Sequence, residues 1–134
     1  MLIDFTVENF RSVKNEQTLS MVATNLKRHP DNLFSTEREK NISLLKTAVV
    51  YGANASGKSN VIKAMKTLRE FVIKSTDLKL SENIPYYEPH KLDKRSAERP
   101  TRFEMEFVAQ DKIRYKYSVV FNKREIEREE LVFY

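Results

Sequence analysis

Apolar and polar residues alternate from the start of the chain, where Ile3, Phe5 and Val7 are interleaved with Asp4, Thr6 and Glu8. A period of two turns one set of side chains inward and the other into water, so this stretch predicts a half-buried strand. Leu19, Met21 and Ala23 repeat the pattern after a polar turn at Ser12 to Glu16, which predicts an antiparallel pair. The alternation returns late in the chain, first as Phe103, Met105 and Phe107 against Arg102, Glu104 and Glu106. It then runs through Ile113, Tyr115, Tyr117, Val119 and Phe121 against Arg114, Lys116 and Ser118. A turn at Asn122 to Glu125 and a third strand from Ile126 to Tyr134 would complete an antiparallel meander. The aromatic stripe reads as core rather than a base-stacking platform. It is the only apolar face this strand possesses, and a platform needs exposed rings beside basic residues.

The middle of the chain follows other periods. Leu44 to Tyr51 is a near-continuous apolar run of strand length, the pattern of a strand buried on both faces. Val61, Met65, Leu68 and Val72 then recur at helical spacing, with Ile62 and Phe71 widening the stripe. Two polar stretches interrupt this order. Thr24 to Ser43, with Pro30 inside, predicts a surface loop holding at most a short helix. Thr76 to Pro100, with Pro85, Pro89, Pro100 and the pair Tyr86-Tyr87, reads as an ordered insertion or a flexible excursion. His29 and His90 each adjoin a proline, lack ligand-like partners nearby, and read as surface loop residues.

Between the apolar run and the helical stripe lie both of the chain's glycines, in Gly52-Ala53-Asn54-Ala55-Ser56-Gly57-Lys58-Ser59. The segment matches G-x-x-x-x-G-K-[ST], the phosphate-binding P-loop. At ordinary usage a chain of this length would hold roughly nine glycines, and an accidental match is on the order of one in 200. In such a loop, glycine lets backbone N–H groups curl around phosphates without Cβ atoms in the way. Lys58 would set its ammonium on the β and γ phosphates and act as the catalytic lysine. The Ser59 hydroxyl would ligate Mg²⁺, and the helix N-terminus would face the anion. The strand before and the helix after supply the context that the motif requires.

Composition narrows the class further. A length of 134 residues with 40% hydrophobic content suits one domain or lobe. No cysteine is present, which excludes disulfides and thiolate metal sites and makes the cytoplasm the default expectation. The N-terminus has no basic region ahead of an apolar core, and no apolar run approaches membrane length, so neither secretion nor a membrane span is supported. A net charge of +5 would suit a nucleic-acid surface, but the basic clusters are diluted with acids, as in Lys123 to Glu130 and Glu37 to Lys40. No Ser-His-Asp spacing and no paired-carboxylate site emerges.

Several of these residues together resemble the start of an ABC-class ATPase head of the RecF and SMC kind, closest to the bacterial AAA-family or OLD-like ATPases of phage-defence systems. The resemblance lies in the first strand running into Glu8-Asn9-Phe10-Arg11-Ser12-Val13, the strand Gln17 to Ala23, and Val49 through Asn60, with the later hairpin similar to the group's antiparallel subdomain. Ala55 stands where many relatives carry a further glycine, a variant familiar in the defence-type subgroup. The fold class implied is α/β: a P-loop NTPase, the N-terminal lobe of an ABC ATPase head, with a mixed sheet and an antiparallel β-meander. Residues 1–134 would form one incomplete lobe, with a strand pair at 1–23, a strand, P-loop and helix at 44–75, and a meander at 102–134. The resemblance implies that ATP and Mg²⁺ are held by Gly52, Ala53, Asn54, Ala55, Ser56, Gly57, Lys58, Ser59 and Asn60, with Arg11 as a further phosphate or base contact.

Two elements of the family are missing. No apolar run ends in Asp-Glu as a Walker B strand would, and without further glycines there is no Leu-Ser-Gly-Gly signature. Gln110 sits in a hairpin turn before Asp111-Lys112, so the family's Q-loop role is not carried over to it. The expectation is therefore an N-terminal fragment or a split half. Its partners would be the remaining part of the ATPase head, a second copy in the complete protein, and DNA or a nuclease or toxin effector, with no membrane. Hydrolysis of ATP to ADP and phosphate belongs to the parent protein. The alternatives are a nucleic-acid-binding module with a vestigial P-loop and a small P-loop kinase, for which no substrate lid or acidic partner is visible.

Overall fold

The computed structural model describes residues 1–24, 30–35, 42–54, 56–77 and 82–134. Its centre is a five-stranded sheet of β1 (Leu2–Glu8), β2 (Gln17–Ser20), β5 (Thr101–Val108), β6 (Arg114–Phe121) and β7 (Ile126–Phe133), in the order β2-β1-β5-β6-β7. Every neighbouring pair is antiparallel. The mixed sheet expected from the sequence is thus not what the described residues form. The alternating patterns at both ends of the chain produce this sheet directly, because each half-buried strand hides one face under a covering layer.

That layer is α1 (Lys58–Lys74), which buries Ala64, Leu68 and Phe71. They pack with Phe5, Val7, Phe10, Phe103, Val119 and Phe121 into the main core. Phe71 stacks on Phe121 with ring centroids 5.0 Å apart, and Tyr86 meets Phe71 edge-on at 5.7 Å. The expected stripe holds at Leu68 and Phe71, with Val61 and Met65 packed against the core, and departs from expectation on its flanks. Ile62 is 61% exposed and Val72 is also exposed, whereas Ala64 is fully buried. Alanine carries little hydrophobic signal, yet its small Cβ lets the helix approach the sheet closely, and that fixes the phase.

A second, smaller cluster joins Ile3, Leu44 and Val108, with Phe34 against it. Ile3 parts from Phe5 and Val7 because the pairing of β1 with β5 shifts register between Leu2 and Asp4, an extra residue that turns Ile3 to the other face. Leu44 comes from β4 (Ser43–Leu45), which pairs antiparallel with β3 (Leu33–Ser35) and bridges Val22. The polar stretch 24–43 therefore holds a short strand after a 3-10 turn at Pro30–Asn32, beyond the loop that was expected.

The buried strand expected over residues 44–51 stops at Leu45. A strand exists by its ladder, and residues 46–51 pair with no strand among those described. Val49 is 82% exposed and Tyr51 91%. The meander is also less buried than its pattern implies. Phe103, Val119 and Phe121 lie under α1, Phe107, Tyr115 and Tyr117 are half-buried, and β7 is exposed throughout. Residues 82–100 form a strap across one end of the strands, bonded to Asn9 and Arg11 after β1 and to Lys123 after β6, with Ile84, His90 and Ser96 buried. His90 is therefore not the surface residue expected. Its amide and ring are taken up by Asn9 and Arg11, whereas His29 lies outside the described residues. Among the described residues no helix is long and apolar enough to cross a membrane.

Candidate functional site

The segment Gly52 to Gly57 leads into α1 through Gly57, which occupies the N-cap at φ 93° and ψ 0°. That left-handed conformation is open to glycine and strained for any residue with a Cβ. A Cβ there would also sit 3.0 Å from Ser12 Oγ, so a side chain would be crowded as well as strained. At Gly52 a Cβ would meet Ser56 Oγ at 3.1 Å. No side chain caps α1, and its first turn carries no acid. The helix thus leaves its N–H groups and the positive end of its dipole open to an anion.

Lys58 folds back over this loop. Its Nζ donates to the Gly52 carbonyl at 2.7 Å, to the Ala53 carbonyl at 2.6 Å and to Ser56 Oγ at 3.4 Å. The ammonium therefore stands over the hollow of the loop, held by dipoles and not by a carboxylate. An arriving phosphate has no acid to displace there.

Ser56, Gly57 and Lys58 form one wall of a cleft of about 530 Å³. Ser12, Asn15 and Thr18 from the β1–β2 connection and β2 form another, with Val50, Tyr51 and Val61 as an apolar side. Cationic and hydroxyl groups at one end with apolar and aromatic surface beside them suit an anionic group joined to a flat ring system. No carboxylate lines the cleft among the described residues.

Two glycines that leave no room for a Cβ, an uncapped helix start and a lysine over the loop fit a phosphate chain. Of the residues expected to hold it, Ser56, Gly57 and Lys58 line the cleft, while Gly52 and Ala53 meet it through their carbonyls on Lys58. Asn54 and Ser59 are exposed and do not line it. Ala55 lies outside the described residues. Among the described residues no cluster of three acidic or histidine side chains could hold a metal ion by itself.

Arg11 takes a different place from the one expected. Its Nη2 pairs with Glu88 at 2.7 Å, its guanidinium lies over the Phe10 ring, and it does not line the cleft. The next residue does. Ser12 Oγ accepts from Asn60 Nδ2 at 2.6 Å, joining the N-terminal turn to the first turn of α1. Sequence reasoning passed over Ser12 because a serine in a polar turn carries no pattern of its own, and only its place beside Arg11 could have drawn notice. Lys14 also lines the cleft but is paired with Asp93 at 2.9 Å. The Lys14 hydrogen bond, and then the Arg95 amide, hold the Asp93 carboxyl below the usual carboxylate range.

Neither the curated proteins nor the solved structures contain a match to the chain. A family model does match it, over residues 48–133, a span that takes in the loop Gly52 to Ser59, α1 and the whole meander. That family is described as "AAA domain, putative AbiEii toxin, Type IV TA system", and since the match covers more than half of the sequence, the chain belongs to it.

Proposed function

We propose that this chain binds Mg-ATP, with the triphosphate on Gly52 to Ser59 and the base and ribose toward the β1–β2 side of the cleft. The observation that carries the reading is Lys58, whose ammonium stands over a glycine-bounded loop at an uncapped helix start with no acid beside it. Bound Mg²⁺ would neutralise phosphate charge, and Ser59, the second residue of α1, supplies the hydroxyl suited to it. Lys58 would exchange its carbonyl partners for phosphate oxygens, and Tyr51 with Val50 and Val61 would exclude water from the ring system.

Among the described residues no carboxylate lines the cleft to orient an attacking water, so turnover would draw that group from another segment or a second copy. The exposed run Val49 to Tyr51, together with Ile62, Val72 and Ile73 on α1, offers the apolar surface on which the rest of an ATPase head would pack. In that setting ATP acts as a dimerising switch coupled to DNA transactions or to a toxin or nuclease effector. A nucleic-acid surface on this chain is disfavoured, since Arg11, Lys14, Arg99, Arg102, Lys116 and Arg128 are each paired with an acid.

Calorimetric titration with Mg-ATP, wild type beside Lys58→Ala and Ser59→Ala, tests the reading. Lysine-dependent binding, with a loss in Ser59→Ala that disappears in EDTA, supports it. Binding indifferent to Lys58 would overturn it.

A further inference from the structure

Among the described residues, two of the three non-glycine residues at positive φ flank Phe10, namely Asn9 and Arg11, both at φ 51°. Such torsions persist only where surrounding contacts over-determine them. Asn9 is fully buried. Its Nδ2 donates to the carbonyls of Ser96 at 2.8 Å, Arg99 at 2.7 Å and Pro100 at 3.2 Å, and its Oδ1 accepts the His90 amide at 3.1 Å. Its own carbonyl accepts from Thr101 Oγ1 at 2.8 Å. Arg11 adds an amide bond to the Glu88 carbonyl at 2.8 Å, and its carbonyl accepts from His90 Nδ1 at 3.0 Å. Phe10 and Val13 close the turn with reciprocal amide–carbonyl bonds of 2.8 Å.

The turn so held presents one side chain to the phosphate loop. Ser12 accepts from Asn60 and lies against Gly57, at the contact that leaves no space for a Cβ there. A clamp at residues 84–101 is thus continuous, through the backbone of 9–13 and then Ser12, with the loop's last glycine and the first turn of α1.

We propose that Asn9 is a positioning residue for the phosphate loop: by locking the 9–13 turn onto the strap, it holds Ser12 against Gly57 and Asn60 and so sets the loop's shape. Asn9 does not line the cleft and would not touch a ligand there. Its effect on nucleotide affinity rests on the nucleotide-binding reading above, while its effect on the loop does not. The strap then acts as part of the site's framework, and whatever loosens it at Glu88 or His90 loosens the loop.

The test uses the full chain with two readouts, amide hydrogen exchange at Gly57 to Asn60 without nucleotide and calorimetric titration with Mg-ATP. Asn9→Gly removes the clamp while accepting the positive φ, and Arg11→Ala, on the exposed side of the turn, decides in the same assays if Asn9→Gly does not fold. Folding is checked by circular dichroism, with Ser12→Ala and the two Ser12→Ala double variants alongside. Exchange should quicken by about tenfold, and Mg-ATP affinity should fall about tenfold, with little further loss in the Ser12→Ala background, since contacts in series couple. Unchanged exchange in a folded variant, or losses that simply multiply in the double variant, would overturn the proposal. If wild type shows no lysine-dependent binding, the nucleotide reading has failed. Exchange alone then decides: faster exchange retains the positioning role and unchanged exchange removes it.

Discussion

Lys58 Nζ donates to the Ala53 carbonyl at 2.6 Å, so the loop's own backbone occupies the cation before any ligand arrives. The same ammonium reaches Gly52, which makes the lysine a brace for the loop. Lys58→Ala should therefore act twice. Mg-ATP affinity should fall by about 10- to 100-fold, the equivalent of losing one charge-assisted contact worth ~1.5–3 kcal/mol. Amides from Gly52 to Asn54 should also exchange faster without nucleotide. Lost affinity with unaltered exchange would mean that the carbonyl contacts do not brace the loop.

Gly57→Ala tests the second constraint. The φ of 93° and the 3.0 Å approach of Ser12 Oγ both oppose a side chain. The expected loss is about 1–3 kcal/mol, read from a thermal melt, with the start of α1 displaced. Adding Ser12→Gly should recover only part of this, because it removes the contact and not the torsion. Full recovery would show that the torsion costs nothing there.

Much of the sheet was legible in the sequence, for a definite physical reason. Alternation at Ile3, Phe5 and Val7, and from Phe103 to Phe121, records burial on one face, and a strand needs no distant information to keep that record. The geometry at Gly52, Gly57 and Lys58 was also visible, because the torsions of that loop and the reach of its lysine are set within eight residues. What distant partners decide was hidden. The apolar run to Tyr51 resembles a buried strand, but apolar residues need neighbours to form a ladder, and among the described residues no strand pairs with it beyond Leu45. His90 looked like a loop residue beside Pro89, yet Asn9, 81 positions away, draws it inward. Ser12 owes its place in the cleft to that same long-range clamp.

The two sides of α1 give a direct comparison. Phe71 is fully buried against Phe121, so Phe71→Ala should cost about 3–5 kcal/mol in urea unfolding, the range for an aromatic removed from a packed core. Ile62→Ala, on the exposed side of the same helix, should cost no more than about 0.5 kcal/mol of stability. If Ile62 proved the costlier site, the flank of the helix that carries Ile62 would be the buried one after all.

The acid stability of the sheet should depend on Glu104. Its carboxylate lies 2.9 Å from Lys116 Nζ and 2.7 Å from Arg102 Nη2 on the face away from α1. Burial alone would push its pKa up, but the Lys116 and Arg102 hydrogen bonds outweigh burial and hold it below the ordinary value. Because the folded value is depressed, the unfolded chain binds the proton more readily. The carboxylate's contribution is then complete above the unfolded pKa of about 4.3 and is lost as pH falls through the lower folded value. Glu104→Gln should lower stability by roughly 1 kcal/mol at pH 7, where one partner of a partly buried network is removed. Below about pH 4 the difference should shrink, as wild type loses the same charge. Urea midpoints of both proteins from pH 7 down to pH 3 read this directly. A gap that stays constant across that range would assign the cost to packing and not to charge.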